Sequence, residues 1–244
     1  MKTFSCSIIS AVLICGSVLA DGLKPAEQRF GGKTEEAESP SFRRHVVPLA
    51  SKLGCSGREC HGSFQGRGDF QLSLFGYDFA KDHKAITADK EHRIRINLEQ
   101  PETSLFLQKP MKQVKHKGGE IYEEGSWEHN VMLKWILEGA KLDVEETGVF
   151  DRLEVFPKEF VAKKVGDKMQ LKVLAHWADG TVEDVTSFTR FDTNDESVAV
   201  VNELGEVEIK GKGDSHVVAF YDNGVKPMPV MLPVSQQVGS KYPK

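Results

Sequence analysis

Beyond residue 20 the chain contains only two cysteines, Cys55 and Cys60, because Cys6 and Cys15 fall within the first twenty residues. A structural zinc site needs about four Cys or His ligands, and no second cysteine pair stands at ligand spacing. There is no Gly-x-Ser-x-Gly elbow, no glycine-rich phosphate loop and no His-Glu-x-x-His helix, so no enzymatic constellation is legible. Basic excess is lacking as well: 32 Lys and Arg stand against 36 Asp and Glu, for a formal charge of -4. That mild acidity excludes general nucleic-acid binding as the main activity. After the first twenty residues no apolar run is long enough for a stable membrane span.

What is present begins with a leader. In MKTFSCSIISAVLICGSVLA one cation, Lys2, precedes an apolar core through Ile14, and Val18 and Ala20 satisfy the small-residue rule for cleavage after Ala20. Residues 1–20 therefore read as a signal peptide, and the rest is expected to be periplasmic or otherwise exported. A hydrophobic content of 39% supports ordinary globular packing, and the roughly 220 remaining residues suit one or two domains.

The most informative stretch is Cys55-Ser56-Gly57-Arg58-Glu59-Cys60-His61. Each thiol can add across one haem vinyl group, and a histidine next to the second thiol is then held under the iron. The usual signature leaves two residues between the thiols, whereas this chain leaves four, so the intervening loop must bulge. The competing reading of the same pair is a small-loop disulfide of an exported protein.

Residues 21–40 hold Pro25, Gly31, Gly32, Pro40 and several glutamates with little apolar periodicity, which predicts a flexible linker. Phe42, Val46, Leu49 and Leu53 then recur at helical spacing, with Ser41 as cap and Gly54 as stop just before Cys55. The glycine-punctuated stretch 62–79 offers Phe64, Phe70, Leu72, Leu74 and Phe75, an apolar surface able to wrap a flat ligand or to pack as a loop and short strand. A short helix is expected over 102–108, between Pro101 and Pro110. A better-defined one runs from the Ser126 cap through Glu138 to a stop at Gly139, with Trp135 in the core. Past Asp143, runs rich in Val, Phe and Thr at 153–156, 169–176, 198–201, 207–209 and 217–221 alternate with turn signals at Asp179-Gly180, Glu203-Leu204-Gly205 and Asp222-Asn223-Gly224. That spacing predicts a β-sandwich.

Several pieces in fixed order carry a resemblance. They are Ser41-Phe42-Arg43, the Cys55 to His61 loop with Gly62, Gly66-Arg67-Gly68-Asp69-Phe70-Gln71-Leu72-Ser73-Leu74, Ser104-Leu105 through Lys109-Pro110, His116-Lys117-Gly118-Gly119, and Trp135-Ile136-Leu137-Glu138-Gly139-Ala140. Together they resemble the cytochrome c-like domains near the N-termini of large exported proteins of planctomycete-type bacteria. Trp177-Ala178-Asp179-Gly180-Thr181, Asp184-Val185-Thr186, Ser197-Val198-Ala199-Val200-Val201 and Gly205-Glu206-Val207 are similar to a group 2 bacterial Ig-like domain.

The resemblances imply a multi-domain chain: a mainly α-helical cytochrome c-like haem domain over 41–142 and an all-β Ig-like sandwich over 150–234, with a short linker near 143–148 and a tail over 235–244. One covalent haem c is expected on Cys55 and Cys60, with His61 as proximal iron ligand. Two residues compete for the sixth position. His116 is favoured, because Gly118-Gly119 lets the chain turn closely past the porphyrin and the resemblance places a histidine there; Met111 is the alternative. Lys109, Lys112, Lys115 and Lys117 read as a solvated face, or as cations that neutralise propionates and steer an anionic redox partner protein. The expected role is electron transfer without enzymatic turnover. The alternative is a non-enzymatic cell-surface adhesion module with a Cys55–Cys60 disulfide and no haem.

Overall fold

The computed structural model describes residues 22–88, 95–143, 145 and 148–235; the leader and the residues from 236 onward lie outside them. Its helices are α1 (Ala26–Arg29), α2 (Val47–Lys52), α3 (Phe79–Thr87), α4 (Leu105–Gln108) and α5 (Trp127–Leu137). The strands follow: β1 (Phe150–Phe156), β2 (Phe160–Val161), β3 (Lys168–Gln170), β4 (Lys172–Trp177), β5 (Val182–Asp184), β6 (Arg190–Thr193), β7 (Ala199–Val201), β8 (Glu206–Ile209), β9 (Gly213–Tyr221) and β10 (Gly224–Leu232). No helix among the described residues is long and apolar enough to cross a membrane.

Ser41 caps the first helix as its sequence position predicts, accepting from the Arg44 N–H at 2.9 Å. The helix opens, however, as a wide π-turn over Phe42–Val46 before α2. Pro48 supplies the local reason. It has no N–H to close a bond to the Arg44 carbonyl, and that carbonyl instead accepts the Tyr221 hydroxyl at 2.7 Å. The expected 102–108 helix is split at Ser104 into a 3-10 turn, Pro101–Thr103, and α4. The helix α5 begins at its Ser126 cap and ends against Gly139, where φ is +94°.

The strands form a β-sandwich, with sheet orders β1-β4-β5, β2-β10-β9-β6 and β3-β8-β7. Leu153, Val155, Val173, Ala175 and Trp177 point inward from one side, and Val217, Ala219, Tyr221, Met228, Val230 and Leu232 from the other. The stretch 169–176 is not one strand. It changes sheets at the buried Leu171, whose N–H bonds the Gly205 carbonyl at 2.9 Å. In β10, Pro227 and Pro229 share one parity, so their missing N–H groups leave the ladder to β9 intact and face the side where β2 covers only Val230 and Met231.

Residues 22–40 are not the flexible linker their composition predicts. Ala26 and Phe30, four apart on one face of α1, are completely buried. Asn130 on α5 donates to the carbonyls of Phe30 and Gly32 at 2.8 and 3.1 Å and accepts from Thr34 at 2.8 Å. Phe30 also meets Phe188 edge-on at 6.0 Å, so the segment straps the helical part to the sandwich.

The carboxylate of Glu183 on β5 closes that junction. It accepts from Arg29 at 2.9 Å, Arg44 at 3.1 Å and His45 Nε2 at 2.9 Å. His45 Nδ1 accepts the Ser41 N–H at 2.9 Å, which fixes the proton on Nε2. The guanidinium groups of Arg43 and Arg44 lie 5.3 and 4.4 Å from the Trp177 ring centre.

Burial alone would push Glu183 up, but His45 and Arg29 hold it down to about 2. A depressed carboxylate contributes stability that is complete above its ordinary value of 4.5 and lost as pH falls through about 2. Glu183→Ala should therefore cost about 2–3 kcal/mol at neutral pH, because Arg29, Arg44 and His45 lose their shared buried acceptor while Arg29 keeps Glu38 and Arg44 keeps Asp179. Urea unfolding followed by tryptophan fluorescence checks this. The mutant should also lose part of the wild type's decline in stability below pH 4.5.

Candidate functional site

The helix over 42–52 ends in a geometry that delivers Cys55. Gly54, at φ +78°, donates to the Ser51 carbonyl at 3.0 Å, and Cys55 donates to the Ala50 carbonyl at 2.9 Å. This is the paired closure of a Schellman cap, which only a residue at ease with positive φ permits. The four residues between the thiols then curl rather than extend: Cys60 N–H bonds the Gly57 carbonyl at 3.0 Å, and His61 N–H returns to the Cys55 carbonyl at 2.9 Å. A Cβ on Gly62 would collide with the Ser56 carbonyl, so the curl demands glycine there.

Cys55, Cys60 and His61 line one cavity of about 980 Å³. Across it stand His116 and Gly118, with Leu105, Phe106, Ile121 and Met132 among the apolar wall residues. Met111 is buried in the core and is not among the lining residues. Trp135 lies behind the wall, stacked on Phe42 at 5.1 Å and edge-on to Phe106 at 6.1 Å.

The two imidazoles are held alike. His61 Nδ1 donates to the Phe70 carbonyl at 3.0 Å, and His116 Nδ1 donates to the Gly119 carbonyl at 2.9 Å. A carbonyl only accepts, so each ring carries a proton on Nδ1; the Arg67 backbone also acts on the His61 ring. Gly118 packs against the His116 ring, where a Cβ would come within 2.9 Å of Cε1. Burial, with smaller contributions from His116 and Lys109, holds His61 below its ordinary 6.5.

Charge in the cavity is one-sided. Arg67, Arg95, Lys109, Lys115 and Lys117 line it, and among the described residues no Asp or Glu does. Lys112 of the basic loop is exposed and stands apart. Arg95 is buried, lies 4.8 Å from the Phe70 ring centre and donates to the Asp69 carbonyl at 3.1 Å. The Tyr122 hydroxyl is buried against the same space with no hydrogen-bond partner. Both thiols are free, so the alternative's disulfide is not formed. Burial, reinforced by Cys60, pushes the Cys55 thiol up to about 12, which keeps it an S–H group and suppresses thiolate exchange. No group of three or more His, Cys, Asp or Glu side chains among the described residues is placed to hold a bare metal ion.

An apolar chamber lined by two thiols, two imidazoles and several basic side chains fits an iron porphyrin with its propionates. Sequence reading missed Arg67, Arg95, Tyr122 and Met132 as members of this wall. They sit singly among unrelated residues, and no spacing rule connects them.

No family model matches the chain, and no curated protein matches it. Among solved structures, a crystal structure of an EHEC O157:H7 intimin mutant is similar over 35% of this chain and 49% of its own, at 19% identity and a TM-score of 0.26. Domains 5-6 of the S-layer protein SbsC are similar over 37% of this chain and 47% of theirs, at 19% identity and a TM-score of 0.30. The chain thus spans about half the length of each of these structures.

Long-range nitrogen-proton correlation spectra of the ligand-free protein should show both His61 and His116 as Nδ1–H tautomers at neutral pH, with His61 titrating below 6.5. An Nε2–H tautomer at either position contradicts the geometry described.

Proposed function

We propose that the chain is an exported c-type haem protein of electron transfer, in which residues 41–142 form a cytochrome c-like unit and residues 150–234 a group 2 Ig-like domain that serves as spacer or docking module. What carries this reading is the convergence of two free thiols and two Nδ1–H imidazoles on one largely apolar cavity. Cys55 and Cys60 would hold one haem c through thioethers, with His61 as proximal and His116 as distal ligand. Met111 is the weaker candidate because it stands off the cavity.

Bound there, the iron would supply one-electron exchange between its ferric and ferrous states. The chain's own contribution is orientation and electrostatics. The Phe70 and Gly119 carbonyls fix the two rings and raise their basicity as ligands. The basic side chains compensate propionate charge, and two histidines favour a lower reduction potential than a His/Met pair. The lysines of the 109–117 loop also suit approach of an anionic redox partner.

A second reading, a non-enzymatic cell-surface adhesion or interaction module, is favoured by one observation: the sandwich contributes no residue to the cavity. In the haem reading the same fact assigns the sandwich to docking rather than to redox chemistry.

Expression with cytochrome maturation machinery, followed by a haem stain on a denaturing gel, should reveal covalent haem; a colourless protein bearing a Cys55–Cys60 disulfide would favour the second reading. Cys60→Ala should leave at most one thioether while the sandwich still folds. His116→Ala should retain haem yet change the iron spin state, and an unchanged low-spin spectrum would move the sixth ligand to Met111.

A further inference from the structure

A second concavity, of about 330 Å³, lies where the loop over 74–77 faces the sandwich. Its floor carries Arg190 of β6, whose guanidinium is sandwiched 4.4 Å from the Phe75 ring centre and 4.1 Å from that of Phe220. The Arg190 Nε is buried without a hydrogen-bond partner. Asp192, two residues along β6, is the nearby opposite charge and acts on Arg190 without a close ion pair among the described residues. Asp222 also lines the groove, but Arg43 holds its carboxylate at 2.9 Å. A half-buried guanidinium flanked by two rings, with no close carboxylate among the described residues, gains from a hydrogen-bonded anion.

The rim is unusually apolar for a surface. Tyr77 and Val225 are 61% and 62% exposed, and Phe75 is 43% exposed although its backbone sits at φ +58°, a region that costs a bulky residue free energy. The Phe75 N–H is pinned to the Ser56 carbonyl at 3.0 Å, which holds the ring over Arg190.

We infer that this groove binds a segment of a partner protein in which an Asp or Glu is flanked by aliphatic or aromatic residues. The carboxylate would pair with the planar Arg190 fork, whose geometry matches two carboxylate oxygens. Its flanking side chains would cover Phe75, Tyr77 and Val225. This site is separate from the haem cavity and stands or falls independently of it.

The test uses the full chain and a fluorescent hexapeptide array with central Asp or Glu between Phe and Leu, alongside matched Asn and Gln peptides, read by anisotropy. Acidic peptides should bind, and their amide counterparts should bind at least about tenfold more weakly. Arg190→Gln should abolish the preference, with far-UV circular dichroism confirming an intact fold. Should that variant unfold, Val225→Glu at the exposed rim serves instead and should repel the acidic peptides. Equal binding of acidic and amide peptides, no binding by any peptide, or Val225→Glu without effect overturns the inference.

Discussion

One buried carboxylate determines how the two halves of this protein meet. Glu183 draws Arg29, Arg44 and His45 from two separate stretches of the helical part onto a single strand of the sandwich. Each ion gives up hydration, and the cluster is tolerable only because every one of them finds a close partner. The helix over 42–52 is consequently anchored at its start by this cluster and by Tyr221, while its far end hands Cys55 to the cavity. The orientation of the sandwich and the placement of the first thiol are thus set by the same short segment.

The cavity repeats that logic in another form. In a chain with more acidic than basic residues, five cations converge on one apolar space, and no described carboxylate lines it. Such a lining suits an apolar ligand with negative groups at its edge, as the proposed function requires. The two histidine tautomers follow from backbone carbonyls rather than from side-chain partners, so ring orientation is tied to the loop conformation itself.

How much was legible depended on whether the determining physics is local. Ser41, Gly54, Ser126 and Gly139 mark their helix ends correctly because capping acts within one turn. The Asp179-Gly180 and Asp222-Asn223 turns connect paired strands as expected. By contrast, α3 carries few apolar residues, burying Phe79 and Ile86 beside Asp82, so its periodicity is faint. Strand β10 hides behind two prolines, and the 22–40 strap behind its low apolar content, since its order comes from Asn130 a hundred residues away. Cys55, Cys60, His61, His116 and the lysines of the 109–117 loop were readable as a set, but Arg67, Arg95 and Tyr122, which complete the wall, arrive through tertiary folding alone.

The prolines of β10 have an effect beyond local geometry. A sheet margin with free amides invites a neighbouring molecule to lengthen it. Along this strand, Pro227 and Pro229 remove two of the donors that such an intruder would need. At this margin, lengthening of the sheet by a second molecule is therefore disfavoured.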